Sequence, residues 1–266
     1  MSEGPAVRRV PARWWGAGAG AASLDAVAVE EPLEIRVEGT PFAVTLRTPG
    51  EDLELVAGYL LGEGVIEDRD DLAALAHIDD PLDPQGNTVD VRLAPGVPLL
   101  LEAARARIAT SSCGVCGKAA LDQVFARVSP LEQPWRPSPE LLGGLPRELR
   151  ARQAGFAQTG GLHAAALVDA EGGLEVVRED IGRHNAVDKV VGWRLLADRL
   201  PIGDRLLLVS GRAGFEIVQK AAVARIPAVV SVGAPSSLAV SLARRVGMTL
   251  IGFLREDRHT VYAEPP

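Results

Sequence analysis

The chain has 266 residues, 47% hydrophobic and 24% charged, with a net charge of −7 and an isoelectric point near 5.2. That length allows one large domain or two unequal ones with a sizeable core, and the acidic balance excludes the diffuse basic footprint of a nucleic-acid-binding protein. Two cysteines are too few for a secreted disulfide framework and suit free thiols in a reducing cytoplasm.

The N-terminus carries Arg8-Arg9, then Trp14-Trp15 and a Gly/Ala run. Pro11 and Arg13 interrupt what would be the apolar stretch of a twin-arginine export signal, so residues 1–25 read as a flexible tail. No window is long and apolar enough to predict a membrane span. Residues 33–38 and 42–47 alternate apolar and polar side chains around Gly39-Thr40-Pro41, which predicts a β-hairpin. Thr48-Pro49-Gly50 ends it. Asp52 then reads as the N-cap of a helix with Leu53, Val56, Leu60 and Leu61 at helical spacing. With a further strand at 88–93, residues 26–106 are expected to form a small N-terminal α/β domain, in which His77, near Asp79 and Asp80, reads as a solvated loop histidine.

Residues 107–266 are expected to form the main domain, and both cysteines fall at its start, as Cys113-Gly114-Val115-Cys116. Helical patterns at 100–108 and 118–128 flank the pair, placing it at a helix start where unpaired N–H groups and the helix dipole stabilise a thiolate. Five prolines between Pro130 and Pro146 suggest a surface linker or a mobile cover. A second hairpin is predicted from 164–168 and 174–177. After it, Arg178 to Asn185 packs five ionisable side chains into eight residues, ahead of a helix faced by Val187, Val190, Val191 and Leu195. Such a string can be a solvated loop with Asn185 as a cap, or part of a site.

The remainder alternates strand and helix: apolar runs at 205–209, 228–232 and 249–253 are separated by helices at 215–225 and 238–246. Gly247 is the C-cap of the second helix, and a short strand follows at 260–262. This predicts a right-handed β-α-β-α-β unit with a parallel sheet. In such sheets ligands bind beyond the carboxyl ends of the strands. The loops expected there are Ser210-Gly211-Arg212, Gly233-Ala234-Pro235-Ser236-Ser237 and a segment with Arg255 and Arg258, a composition suited to phosphates. Neither a Walker loop nor a Gly-x-Gly-x-x-Gly is present.

A Cys-x-x-Cys can hold zinc, cycle through a disulfide, carry sulfur, or be two inert buried thiols. Zinc lacks ligands, since only His163 and His184 could join the pair. The His-x-Glu and Pro-Cys-x-x-Cys pattern of zinc deaminases is broken, with Ser112 in the proline's place. Thioredoxin-type exchange expects a preceding strand, which is missing from the pattern. An exposed thiolate between glycines suits transfer of sulfur as a persulfide.

The segments Thr110-Ser-Ser-Cys-Gly-Val-Cys-Gly-Lys118, Thr159-Gly-Gly-Leu-His163, Glu179-Asp-Ile-Gly-Arg-His-Asn-Ala-Val-Asp-Lys189, Ser210-Gly-Arg212 and Gly233-Ala-Pro-Ser-Ser-Leu238 resemble the formate dehydrogenase accessory sulfurtransferases, the FdhD family. The resemblance runs through nearly the whole chain after the tail. It implies an α/β fold with a main domain similar to cytidine deaminases, with a mixed or parallel sheet and no zinc. The implied activity is a sulfurtransferase that takes persulfide sulfur from a cysteine desulfurase and passes it to the molybdenum or tungsten bis(molybdopterin guanine dinucleotide) cofactor before that cofactor enters formate dehydrogenase. By this resemblance Cys113 is the persulfide-bearing residue and Cys116 its companion. By the same resemblance Phe253, Leu254, Arg255, Glu256, Asp257 and Arg258 contact the guanine dinucleotide; Ser210, Gly211 and Arg212, from their place in a strand-end loop, and His184, from the polar string, are the further candidate cofactor-binding residues. A cytoplasmic homodimer is also implied. The alternative is a non-catalytic chaperone that binds the cofactor and docks on the dehydrogenase.

Overall fold

The computed structural model describes residues 6–15, 22–78, 86–98 and 128–265. Cys113 and Cys116, and the helical patterns on either side of them, lie outside these residues.

The larger sheet has six strands in the order β12-β11-β10-β9-β7-β8. Strands β9 (Leu206–Val209), β10 (Ala228–Ser231) and β11 (Thr249–Gly252) are parallel and buried along their whole length. The hairpin of β7 (His163–Val168) and β8 (Leu174–Asp180) joins antiparallel to β9, and β12 (Thr260–Ala263) closes the other edge. Successive side chains of a strand point to opposite faces, and here both faces are covered, which is why these strands read as unbroken apolar runs. Ala165, Leu167, Leu207, Val209, Val229 and Leu250 join the core beneath α4 (Arg183–Leu196), α5 (Phe215–Val223) and α6 (Ser237–Val246). Their neighbours Ala164, Ala166, Val168, Leu206, Leu208, Ala228 and Val230 pack on the other face against Leu142, Leu145 and Leu149 of α2 (Pro139–Arg152).

Helix α2 occupies part of the proline-rich stretch expected to be a linker or cover. Ser138 caps it by accepting from the Leu141 N–H at 3.3 Å, and Pro139 sits in the first turn, where its missing donor costs nothing. Leucines at 142, 145 and 149 then supply a helical apolar stripe. A six-residue helix, α3 (Ala154–Thr159), follows at once.

The second sheet, β4-β3-β6-β5, joins β3 (Glu31–Val37), β4 (Thr40–Arg47), β5 (Leu72–His77) and β6 (Thr88–Leu93). Helix α1 (Asp52–Glu63) lies between this sheet and α4, so one apolar cluster runs from Leu33 and Ile35 through Leu55 and Leu60 to Val187 and Val191. The α1–α4 crossing is held close by glycine. A methyl placed on Gly192 would fall on the Glu54 carbonyl, and one placed on Gly58 would fall on that of Asp188.

The structure corrects three expectations. The tail is not all irregular: β1 (Val7–Arg13) and β2 (Ala22–Ala28) form an antiparallel ribbon, tolerating Pro11 because a two-stranded ribbon leaves each strand an unpaired edge. Asp52 is not the N-cap of α1. That position is Glu51, in the left-handed region at φ 53°, while Asp52 is buried and takes two hydrogen bonds of 3.0 Å from the Arg47 guanidinium. His77 ends a strand rather than lying in a loop, and its Nδ1 donates to the Gly86 carbonyl at 2.8 Å.

Candidate functional site

Because β9, β10 and β11 are parallel, their carboxyl ends and following loops share one edge of the sheet, and the loops are stitched together there. Gly233 N–H donates to the Gly211 carbonyl at 2.9 Å, Ser236 N–H to Ala213 at 3.1 Å and Phe253 N–H to Gly233 at 2.9 Å. Gly233 is required for this closeness, since a Cβ there would lie 2.8 Å from Gly211 O and 3.0 Å from the Arg212 backbone. The antiparallel β7 brings its first residue, His163, to the same edge. Ser210 Oγ accepts from the Ala164 N–H at 2.8 Å.

The polar string before α4 divides into two kinds of residue. Glu179 accepts from the Gly155 and Phe156 N–H groups, each at 2.8 Å, and so fixes the start of α3. Asp180, fully buried, accepts from Thr48 N–H, Gly182 N–H and Asn185 Nδ2 and pairs with Lys189 at 2.9 Å. Lys189 Nζ also donates to the Thr48 carbonyl. These residues tie the first hairpin to α4; Asn185 belongs to this unit and is not the cap, which is Gly182. Arg183 and His184 face the strand ends.

There, His163, His184, Arg183 and Arg212 make a cationic rim around two imidazoles. Burial, then the charges of Arg183 and Arg212, lower the His163 pKa. Burial, then Arg183 and Lys220, lower that of His184 to about 4. Both rings are therefore uncharged at neutral pH, each with one donor and one acceptor. His184 Nδ1 lies 3.5 Å from Glu216, whose carboxyl burial pushes up. Behind them Lys220 contacts Asp188 at 2.6 Å. Burial pushes the Asp188 carboxyl up to about 6, whereas on Lys220 the pull of Asp188, Glu63 and Glu216 outweighs burial and raises the ammonium.

These shifts make a prediction. Folding lowers the His184 pKa, so the unfolded chain takes up this proton at a higher pH than the folded one. The associated stability is complete above pH 6.5 and lost as pH falls through about 4. It amounts to about 3 kcal/mol for a side chain 26% exposed. Asp188 and Glu216 act in the opposite sense, so the histidine's share is read by difference: urea unfolding of His184→Gln should lose less stability between pH 7 and pH 4 than the parent.

The 253–258 segment separates in the structure. Leu254 is fully buried in the core against α2, so it offers a ligand only backbone. Arg255 is spent in part on the fold, donating to the Val232 carbonyl at 2.9 Å. Phe253 is 45% exposed and held at φ 53°, a conformation uncommon for a bulky residue. Glu256, Asp257 and Arg258 line a cavity of about 490 Å³ shared with the first half of α2. Gly143 lets that helix approach to where a Cβ would be 2.9 Å from Glu256 O. A second cavity, of about 500 Å³, opens where α2 meets α3 and is lined by His163 and Ser210.

Sequence reasoning placed the Ser210-Gly211-Arg212 loop at this edge and counted His184 among the candidate cofactor residues, but left His163 and Arg183 out of that set. The signal was present, since a residue opening a strand antiparallel to β9 must lie at the ligand edge. Among the described residues, no group of three or more His, Cys, Asp or Glu could hold a metal ion, and no helix is long and apolar enough to cross a membrane.

Residues 28–266 match the model of the FdhD/NarQ family. The chain belongs to that family. It is 52% identical over 247 residues to a sulfur carrier protein FdhD of Mycobacterium tuberculosis, covering 90% of each chain. It is 51% identical over 255 residues to one of Streptomyces coelicolor, covering 92% of this chain and 90% of that one. The fold is similar to a crystal structure from Desulfotalea psychrophila described as a formate dehydrogenase accessory protein, with a TM-score of 0.80, 26% identity and 98% of both chains covered. Family membership accounts for the order of the segments noted in the sequence.

Proposed function

We propose that this chain is a sulfur carrier serving formate dehydrogenase. The observation that carries the proposal is its extended similarity to FdhD proteins named as sulfur carriers, in a chain whose only two thiols form one Cys-x-x-Cys. The Cys113 thiolate attacks the outer sulfur of a persulfide on a cysteine desulfurase. The donor's S–S bond breaks, its electron pair stays on the donor thiolate, and the sulfur atom remains on Cys113. On delivery the acceptor supplies the electron pair for the new bond and Cys113 leaves as thiolate, with Cys116 beside it.

The acceptor in this reading is the bis(molybdopterin guanine dinucleotide) cofactor, a substrate here, carrying molybdenum or tungsten. Its phosphates suit the cationic rim of Arg183 and Arg212 and the backbone N–H groups of the strand-end loops. The neutral His163 and His184 can donate to an anion without a counter-charge having to be displaced. We further propose that the six-stranded unit is a relative of the cytidine deaminase architecture without its zinc, and that the protein works as a cytoplasmic homodimer.

The test is sulfur loading. Incubated with a cysteine desulfurase and cysteine, the parent should gain one sulfur atom by intact-mass measurement and Cys113→Ala should gain none. In cells lacking the parent gene, Cys113→Ala and the double serine variant should leave formate dehydrogenase inactive. A Cys113→Ala protein that still loads and still matures the dehydrogenase removes the proposal, and activity in the double serine variant alone would make the protein a cofactor chaperone.

A further inference from the structure

The ribbon of β1 and β2 has no part in the sulfur-carrier reading, and the match to the family model begins only at residue 28, where β2 ends. Seven residue pairs join its strands, from Val7 with Ala28 to Arg13 with Ala22. The first of these ends is tied down: Val29 N–H donates to the Ala6 carbonyl at 3.0 Å, Arg8 lies 3.6 Å from Glu31, and β2 packs against α3. Exposure rises toward the other end. Val7 and Ala28 are half-buried, whereas Leu24 is 62%, Trp14 69% and Trp15 75% exposed. A two-stranded ribbon is marginally stable at best in water, and tryptophans left in solvent add nothing to it. The far end is built to be covered.

The exposed apolar surface is concentrated in two places. Of the eight large hydrophobic side chains exposed among the described residues, Trp14, Trp15, Leu24 and Val27 belong to the ribbon and Val44 and Leu46 to β4. Strand β4 ends the order of the second sheet. Val44, 68% exposed, and Leu46, 55% exposed, are two residues apart and share its outer face with Pro32 of β3, the partner of Leu46. The Leu46 carbonyl is taken by Asn185 Nδ2, so this strand offers its side chains rather than a free backbone edge. One exposed leucine needs no explanation, but clusters of such side chains mark interaction sites.

Charge selects what covers them. Residues 7–28 hold Arg8, Arg9 and Arg13 against a single acid, Asp25, in a chain of net charge −7. The ribbon is a cationic arm on an acidic body. Arg9 and Arg13 flank Pro11 on the face that also carries Leu24, while Val44 is paired with Glu34, and Glu30, exposed, stands just before β3. Arginine and tryptophan are the side chains that most often dominate protein interfaces. An anionic lipid surface would attract the arm and repel the body behind it, whereas a second copy offers an acidic body and an apolar β4 together.

We infer that two copies of this chain associate through these surfaces, the ribbon of each lying across β4 of the other. The contact is then made twice about a twofold axis, each copy giving one arm and receiving one. The two seven-residue strands of the ribbon, the tryptophan pair and the eight residues of β4 supply about the 20–30 residues a side of a standard interface. This assignment rests on the homodimer of the proposed function and says where its interface lies.

Sedimentation velocity of the full-length protein tests it. The parent should sediment as a dimer that loosens as salt is raised, because salt screens exposed charges. Trp14→Ser/Trp15→Ser and Leu46→Lys should each raise the dimer Kd about tenfold or more. Arg9→Glu/Arg13→Glu should weaken the dimer comparably and remove most of its dependence on salt. Val261→Lys, at an exposed apolar position on β12, should leave the Kd unchanged. All these positions are exposed, so every variant should keep the parent's far-UV circular dichroism. A dimer as tight as the parent's in Trp14→Ser/Trp15→Ser or in Leu46→Lys overturns the interface and leaves the homodimer standing, and equal weakening by Val261→Lys does the same. A monomeric parent, whether or not it pellets with phosphatidylglycerol vesicles, overturns the interface and the homodimer together. Sulfur loading of Cys113 on the same variants tests the sulfur-carrier reading independently of either result.

Discussion

Gly192→Ala should destabilise the protein by about 3 kcal/mol or more, read as a lower urea midpoint at unchanged slope. The new methyl would fall on the Glu54 carbonyl of α1 and lie within 2.8 Å of the Gly58 nitrogen. Backbone atoms in two packed helices cannot swing aside as a side-chain tip can, so the helices must separate. Separation costs twice, because α1 lies between the second sheet and α4 and draws Leu55 and Leu60 against Val187 and Val191. Gly144→Ala is the matched control. Gly144 sits in α2 with nothing within 4 Å of the place a Cβ would occupy, so alanine there should stabilise by up to about 1 kcal/mol through helix propensity. Equal effects at the two positions would mean that the α1–α4 crossing is not the close contact described.

The parallel unit was legible in the sequence because a strand buried on both faces must be apolar throughout. Leu206–Val209 and Ala228–Ser231 are such runs, and each is followed by small residues that form the loops at the site. Helix α2 was not legible, since Pro139 and Pro146 count as breakers in a pattern search although one opens the helix and the other is accommodated within it. Asp52 and Leu254 show the same limit at single residues. Asp52 has the chemistry of a cap, but Arg47, five residues away, claims its carboxylate; Leu254 lies in a polar segment and is turned inward by the core beneath α2.

Lys189→Met should cost about 3 to 5 kcal/mol, enough to remove a third or more of the stability of a typical domain. Lys189 and Asp180 are both 0% exposed and lie 2.9 Å apart. Losing the lysine leaves the Asp180 carboxylate without its counter-charge in a site with no access to water, and the Thr48 carbonyl without the donor that reached it at 3.0 Å. Asp180→Asn should also be costly, since the Thr48 and Gly182 N–H groups and Asn185 Nδ2 all need acceptor oxygens and an amide provides only one. The double variant Asp180→Asn/Lys189→Met should be less damaging than the sum of the two, because no uncompensated charge remains. Urea unfolding of all four proteins measures that coupling. A purely additive result would show that the pair contributes no mutual stabilisation and that the polar string before α4 holds the first hairpin by its hydrogen bonds alone. A positive coupling would make the ion pair the clamp that sets Arg183 and His184 at the strand ends, since both lie on the short path from Asp180 to Lys189.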